Sequence, residues 1–172
     1  TAAVISELHE KALQDTRRDI LFALAETSFF HGARLKKTTT PGNPGEDADY
    51  FLMSAIYAYF YLYGTFGEEA PGPYDSRFIM ASELYNRALG RGLALGKEGQ
   101  WEFKKRRVRH LPVGEITLSS IKNYLGLPVG DFQSFLPADD YEVQGLTIRN
   151  RIAGIGLPLI ANRRYFCREY ST

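Results

Sequence analysis

Five cations fall within six residues at Lys104, Lys105, Arg106, Arg107 and Arg109, preceded by Trp101 and Phe103 and closed by His110. Clustered Lys and Arg attract phosphates, and a neighbouring ring can stack a base, so the residue types of this run suit nucleic-acid binding. No other segment is comparably basic, and Asp131, Asp139, Asp140 and Glu142 follow as counter-charge. The run is expected to occupy a hairpin connection as a solvated or internally paired surface, with nucleic-acid binding the lesser alternative. A second concentration is aromatic. Of eleven tyrosines, Tyr50, Tyr57, Tyr59, Tyr61 and Tyr63 share one helical stretch and cover more than one of its faces. Such a helix needs partners on several sides, so it is either central in a bundle or meets something outside the chain. Tyr57, Tyr59, Tyr61 and Tyr63 are its candidate contact surface.

Other chemistries lack their spacing. His9, His31 and His110 stand far apart with no H-x3-H or H-E-x-x-H pattern, and Cys167 is the single cysteine, so neither a metal site nor an internal disulfide is expected. No cofactor motif is present either. Gly90-Arg91-Gly92 with Gly96 closes a helix, whereas a phosphate-binding turn must open one. No G-x-S-x-G presents a nucleophilic serine, and the His31-Gly32 pair sits on a helix. Ser119-Ser120 reads as a helix cap, and Asp139-Asp140 after Pro137 as a turn. No catalytic residue is nominated.

These groups are positioned by two different grammars. Asp15-Thr16 can cap a helix running through Ile20, Leu21, Leu24 and Ala25 until the Thr38-Thr39-Thr40-Pro41-Gly42 cluster, and a shorter helix over about Ile5 to Leu13 precedes it. A third helix is predicted from about Asp47 to Tyr63, with Glu46, Asp47 and Asp49 in its first turn. A fourth begins after Asp75 and ends between Gly92 and Gly96. Ala25-x3-Phe29-x2-Gly32, Ala48-x3-Leu52-x2-Ala55 and Ala81-x3-Tyr85-x2-Ala88 repeat a small-large-small pattern. It is weakly tetratricopeptide-like, but only one helix fits between successive echoes, so close helix packing is the expected meaning. After Gly96, strands are predicted at Gln100–Phe103, Gly114–Leu118, Tyr141–Ile148 and Gly154–Ala161, with Phe132, Phe135 and Leu136 as core plugs. The expected class is α+β, with a helical module over 1–96 and a β-rich segment over 97–172.

Length and charge agree with this. The 172 residues, at 44% hydrophobic and 24% charged, can bury a real core, and mean hydropathy is -0.27. A net charge of +1 lacks the field of a dedicated nucleic-acid binder. The apolar stretch Tyr50 to Tyr63 is shorter than the ~20 residues that span a bilayer. The chain starts at Thr1 without a signal pattern, so any leader or anchor, and with it any membrane association, is expected upstream.

Several phrases together resemble a known group: Asp19-Ile20-Leu21-Phe22-Ala23-Leu24-Ala25-Glu26, Ala55-Ile56-Tyr57-Ala58-Tyr59-Phe60-Tyr61-Leu62-Tyr63, Asp75-Ser76-Arg77-Phe78, Leu84-Tyr85-Asn86-Arg87-Ala88-Leu89, Phe135-Leu136-Pro137-Ala138-Asp139, and Gly145-Leu146-Thr147-Ile148-Arg149-Asn150-Arg151 leading to Gly154-Ile155-Gly156-Leu157-Pro158-Leu159. From about Leu13 to Ala161 the chain is similar to the N-terminal region of large bacterial α/β-hydrolases of the esterase or lipase type. The resemblance implies that the serine elbow and the oxyanion-loop His-Gly lie on polypeptide continuous or associated with this chain, which by itself is non-catalytic. It also favours the bacterial cell envelope, with the cytoplasm as the alternative. The rival expectation is a free-standing helical module that binds a protein partner through its tyrosine-rich surface.

Overall fold

The computed structural model describes residues 2–38, 45–66, 69–94, 106–119, 132–138 and 154–163. Its elements are α1 (Ala2–Gln14), α2 (Arg18–Thr38), α3 (Glu46–Tyr63), α4 (Ser76–Leu93), β1 (Arg106–Leu111), β2 (Gly114–Ser119), β3 (Phe132–Pro137) and β4 (Leu159–Arg163). The class is α+β, helices first and strands after.

Local chemistry sets the helix ends. The Asp15 carboxylate accepts from the Arg17 backbone N–H at 3.3 Å and from Arg17 Nε at 2.8 Å, turning the chain into α2. Asp75 caps α4 by accepting from the Arg77 N–H at 2.8 Å. At the entry to α3, Gly45 offers no side-chain cap, and Glu46, Asp47 and Asp49 supply negative charge at the positive end of the helix dipole. The far end of α3 is closed by α2. Arg18 donates to the carbonyl of Tyr61 and, at 2.8 Å, to that of Gly64. A cation thereby satisfies acceptors the helix leaves open at its negative end.

The central helix is α3, packed against α2 and α4, with Phe51, Leu52, Met53, Ser54, Ala55, Ala58 and Leu62 buried. The small residues of the repeated pattern lie at these seams: Ala25, Gly32, Ala48, Ala55, Ala81 and Ala88 are all buried. Gly92 shows how close the approach is, since a Cβ there would stand 2.7 Å from Leu52 Cγ. Buried Ser54 donates to the Ala25 carbonyl at 2.7 Å, joining α3 to α2. Among the described residues no helix is long and apolar enough to cross a membrane.

The strands form two antiparallel pairs, β1 with β2 and β3 with β4. This corrects the predicted location of the basic run. Arg106, Arg107 and Arg109 belong to strand β1, and the hairpin connection is Pro112-Val113, because β1 pairs with β2 from Arg106↔Ser119 to Leu111↔Gly114. Phe132, Phe135 and Leu136 lie on β3, which pairs with β4 with a register shift between Phe132 and Ser134. The last strand begins at Leu159, after the Gly154–Pro158 bend. The predicted strands at Gln100–Phe103 and Tyr141–Ile148, the Ser120 cap and the Asp139-Asp140 turn lie outside the described residues.

Both strand pairs are tied to helices. Leu111, Val113 and Ile155 pack on the main apolar cluster, and Arg109 pairs with Asp49 of α3. The Asn86 side chain holds the bend before β4 at two points, donating to the Gly154 carbonyl and accepting from the Gly156 N–H, each at 2.9 Å. Gly90 leaves room for Leu157, whose Cδ2 would be 3.0 Å from a Cβ at that position.

Candidate functional site

Helix geometry divides the four candidate tyrosines into two pairs. Residues four apart share a face, so Tyr57 and Tyr61 point one way and Tyr59 and Tyr63 the other. Tyr57 is 7% and Tyr61 3% exposed, whereas Tyr59 is 47% and Tyr63 51% exposed. The structure therefore brings Tyr59 and Tyr63 to the surface and uses Tyr57 and Tyr61 as core.

The exposed pair is part of a larger ring cluster. Tyr59 lies 5.4 Å from Tyr63 and 6.2 Å from both Tyr85 of α4 and the adjacent Phe60, and Phe60 in turn lies 6.1 Å from Phe66. Phe60 is itself 43% exposed. Packing of this kind fixes the rings before any partner arrives, so little side-chain freedom remains to be lost on binding. Burial raises the Tyr85 hydroxyl above its ordinary range, and the neighbouring Tyr59 and Tyr63 add to the shift. At the end of the cluster a cleft of about 530 Å³ is lined by Arg18, Leu62, Tyr63, Gly64, Glu69 and Ala70. Arg18 is held there by the α3 carbonyls, beside the open aromatic surface. The surface combines apolar rings, hydroxyl edges and the exposed Glu69.

The core pair makes different contacts. Tyr57 hydroxyl and His9 Nδ1 are 2.7 Å apart, and burial pushes the Tyr57 hydroxyl up to about 12. The hydrogen bond between them attaches α1 to α3. Tyr61 packs against Phe22 at 5.2 Å.

The histidines are separated in space as they are in sequence. His31 is buried edge-on to Tyr50 at 4.3 Å; burial, and after it the positive charge of Arg34, hold its imidazole below the usual range. His110 is exposed on β1, with Nδ1 3.4 Å from Glu115. Ser6, Ser54 and Ser82 donate to backbone carbonyls. Among the described residues no cluster of His, Cys, Asp and Glu could hold a metal, and no serine is hydrogen-bonded to a histidine.

Of the basic run, Lys104 and Lys105 lie outside the described residues, as do Trp101 and Phe103. Arg106 and Arg107 are placed on β1 by their backbone. Arg109 turns inward to Asp49, with side chains 12% and 21% exposed. That carboxylate was not among the counter-charges legible nearby in sequence, because it arrives from α3, sixty residues away. Asn86 and Arg18 were missed for the same reason: their partners are backbone groups of distant segments, which leave no pattern in the chain. Comparison with protein-family models, with curated proteins and with solved structures finds no match, so the residues of this chain alone carry the functional reading.

Proposed function

We propose that this chain is a non-catalytic docking module, the helical front of a bacterial serine α/β-hydrolase, which packs its aromatic face against the catalytic portion of that enzyme. The supporting observation is the exposed, mutually packed cluster of Tyr59, Tyr63 and Phe60 on the central helix. Large rings exposed together on an otherwise well-buried helix are costly in water and fit a protein interface, where tyrosines serve as anchors. The sequence resemblance supplies the class of partner. On this reading ester or lipid hydrolysis is performed by residues outside the chain.

The test is the native mass of the protein purified gently from its source, together with labelling by a serine-directed fluorophosphonate. A reactive polypeptide continuous with this chain, or bound to it in stoichiometric amount and photocrosslinked from position 59 or 63, is the expected result. A lone, unreactive species of 19.4 kDa would remove the hydrolase and leave the free-standing interaction module, which the same aromatic cluster also supports.

A further inference from the structure

The corner where α2 ends and α3 begins is built around a histidine. His31, near the end of α2, is 7% exposed and lies edge-on to Tyr50 of α3 at 4.3 Å. Beside it, Gly32 brings the two helices so close that a Cβ there would stand 3.0 Å from the Asp47 carbonyl oxygen and 3.3 Å from the Phe51 ring. The entry to α3 has no side-chain cap, so its place rests on this packing against α2. Exposed Arg34 stands with a guanidinium nitrogen 3.5 Å from His31 Nδ1. Arginine can only donate, so the contact requires a bare Nδ1 and a neutral ring. Burial foremost, then Arg34 and more weakly the amino terminus of the chain, oppose a charge on the imidazole, and Glu46 in the first turn of α3 favours one. Tyr50 stays un-ionised, because burial first and then Glu46 and Asp49 raise its hydroxyl above the ordinary value.

We propose that His31 is a pH-sensitive latch on the α2–α3 corner: the neutral ring holds the corner shut, and in mild acid the imidazolium parts from Arg34 and opens the seam locally. A proton on Nδ1 turns the acceptor into a donor facing a cation, in a site with little water. That charge is relieved outward, toward solvent and the exposed Glu46. Opening costs little at this place. His31 sits near a helix end and the first turn of α3 follows Gly45, whereas the middle of α3 is core. The opened ring titrates near the ordinary histidine value of about 6.5 and the closed ring below it, so the open form gains as pH falls through that value. The latch is independent of the Tyr59 cluster, so the two readings stand or fall separately.

Amide hydrogen exchange of the full chain at pH 7.5 and pH 5.5, corrected for the intrinsic rate, tests the proposal. Protection over 29–35 and 47–51 should fall, by at most about tenfold because pH 5.5 lies one unit below the ordinary histidine value, while protection over 55–62 holds. The lower pH is also above the ordinary carboxylate range of about 4, so Asp and Glu side chains stay charged. His31→Gln should abolish the change, since an amide oxygen can accept from Arg34 and takes up no proton. Arg34→Gln, at an exposed position, keeps the test open should the core variant fold poorly; it should shrink the change by removing the opposing charge. Unchanged protection in the parent overturns the proposal, as does acid loosening that persists in His31→Gln or undiminished in Arg34→Gln. Loss spread evenly through all four helices also overturns it, because that marks global rather than local opening.

Discussion

Asp49 in the first turn of α3 and Arg109 on β1 form an ion pair that is largely withdrawn from solvent and ties the first hairpin to the central helix. The carboxylate also sits at the positive end of the helix dipole, so it is favoured there before the arginine arrives. Removing one partner leaves the other charge in a site with little water. Asp49→Asn or Arg109→Gln should each cost about 1–3 kcal/mol in urea denaturation. A double-mutant cycle should return a coupling well above the ~0–1 kcal/mol of an exposed pair such as Arg77 with Asp19. Coupling near zero would mean that the hairpin does not depend on this contact.

Gly92→Ala opposes two effects of known size. Alanine is favoured over glycine inside a helix by about 1 kcal/mol. Its Cβ, however, would stand 2.7 Å from Leu52 Cγ and 3.0 Å from the Leu52 backbone N, and such overpacking costs about 1–3 kcal/mol. The α3 backbone cannot withdraw as a flexible side chain can, so net destabilisation is expected. A variant more stable than the parent would contradict the close approach of α4 to α3.

His31 makes stability depend on pH. Burial and Arg34 lower its folded-state affinity for a proton, so the unfolded chain binds more protons below the ordinary histidine value of about 6.5. The stability this group contributes is present above that value and is lost as pH falls from about 6.5 through the depressed folded value. Replacement by Phe should flatten the acid limb of a stability-against-pH curve between pH 7 and 5. Glu46, which pulls the imidazole in the opposite sense, offers a control, since Glu46→Gln should steepen it.

Alkaline pH acts through the buried tyrosines. The Tyr57 hydroxyl titrates at about 12, and burial also raises Tyr50, Tyr61 and Tyr85. The folded protein therefore keeps protons that the unfolded chain releases above about pH 10, and stability should fall from there upward. Tyrosinate absorption should include a late step from the buried residues. Tyr57→Phe should remove part of the late step and cost about 1 kcal/mol at neutral pH through loss of the His9 bond.

Tyr59→Ser and Tyr63→Ser remove exposed rings and should leave stability within about 1 kcal/mol of the parent. The same changes at Tyr57 or Tyr61 should cost about 3–5 kcal/mol, because they open cavities in the core. Equal losses at all four positions would remove the division of the helix into a core face and an outer face.

In sequence the four tyrosines read as one contact surface. Tyr57 and Tyr61 are one turn apart, as are Tyr59 and Tyr63, so the period of a helix alone separates the pairs once α3 is recognised. What the period leaves open is which pair faces inward. The packing of α2 decided it, since Phe22 takes Tyr61 and α1 brings His9 to Tyr57.

By itself the sequence determined the four helices, their order and the close-packed seams between them, because caps, breakers and small-residue spacing act over a few residues and need no distant partner. The strand positions were decided only in three dimensions. Arg106, Arg107 and Arg109 have the look of a solvated connector, yet β1 is completed by backbone pairing with β2, and Arg109 acquires its charge partner from α3. Hydrogen bonds to backbone groups are blind to residue type, so the clasp of Asn86 on Gly154 and Gly156, and of Arg18 on the end of α3, exists only once the chain has folded.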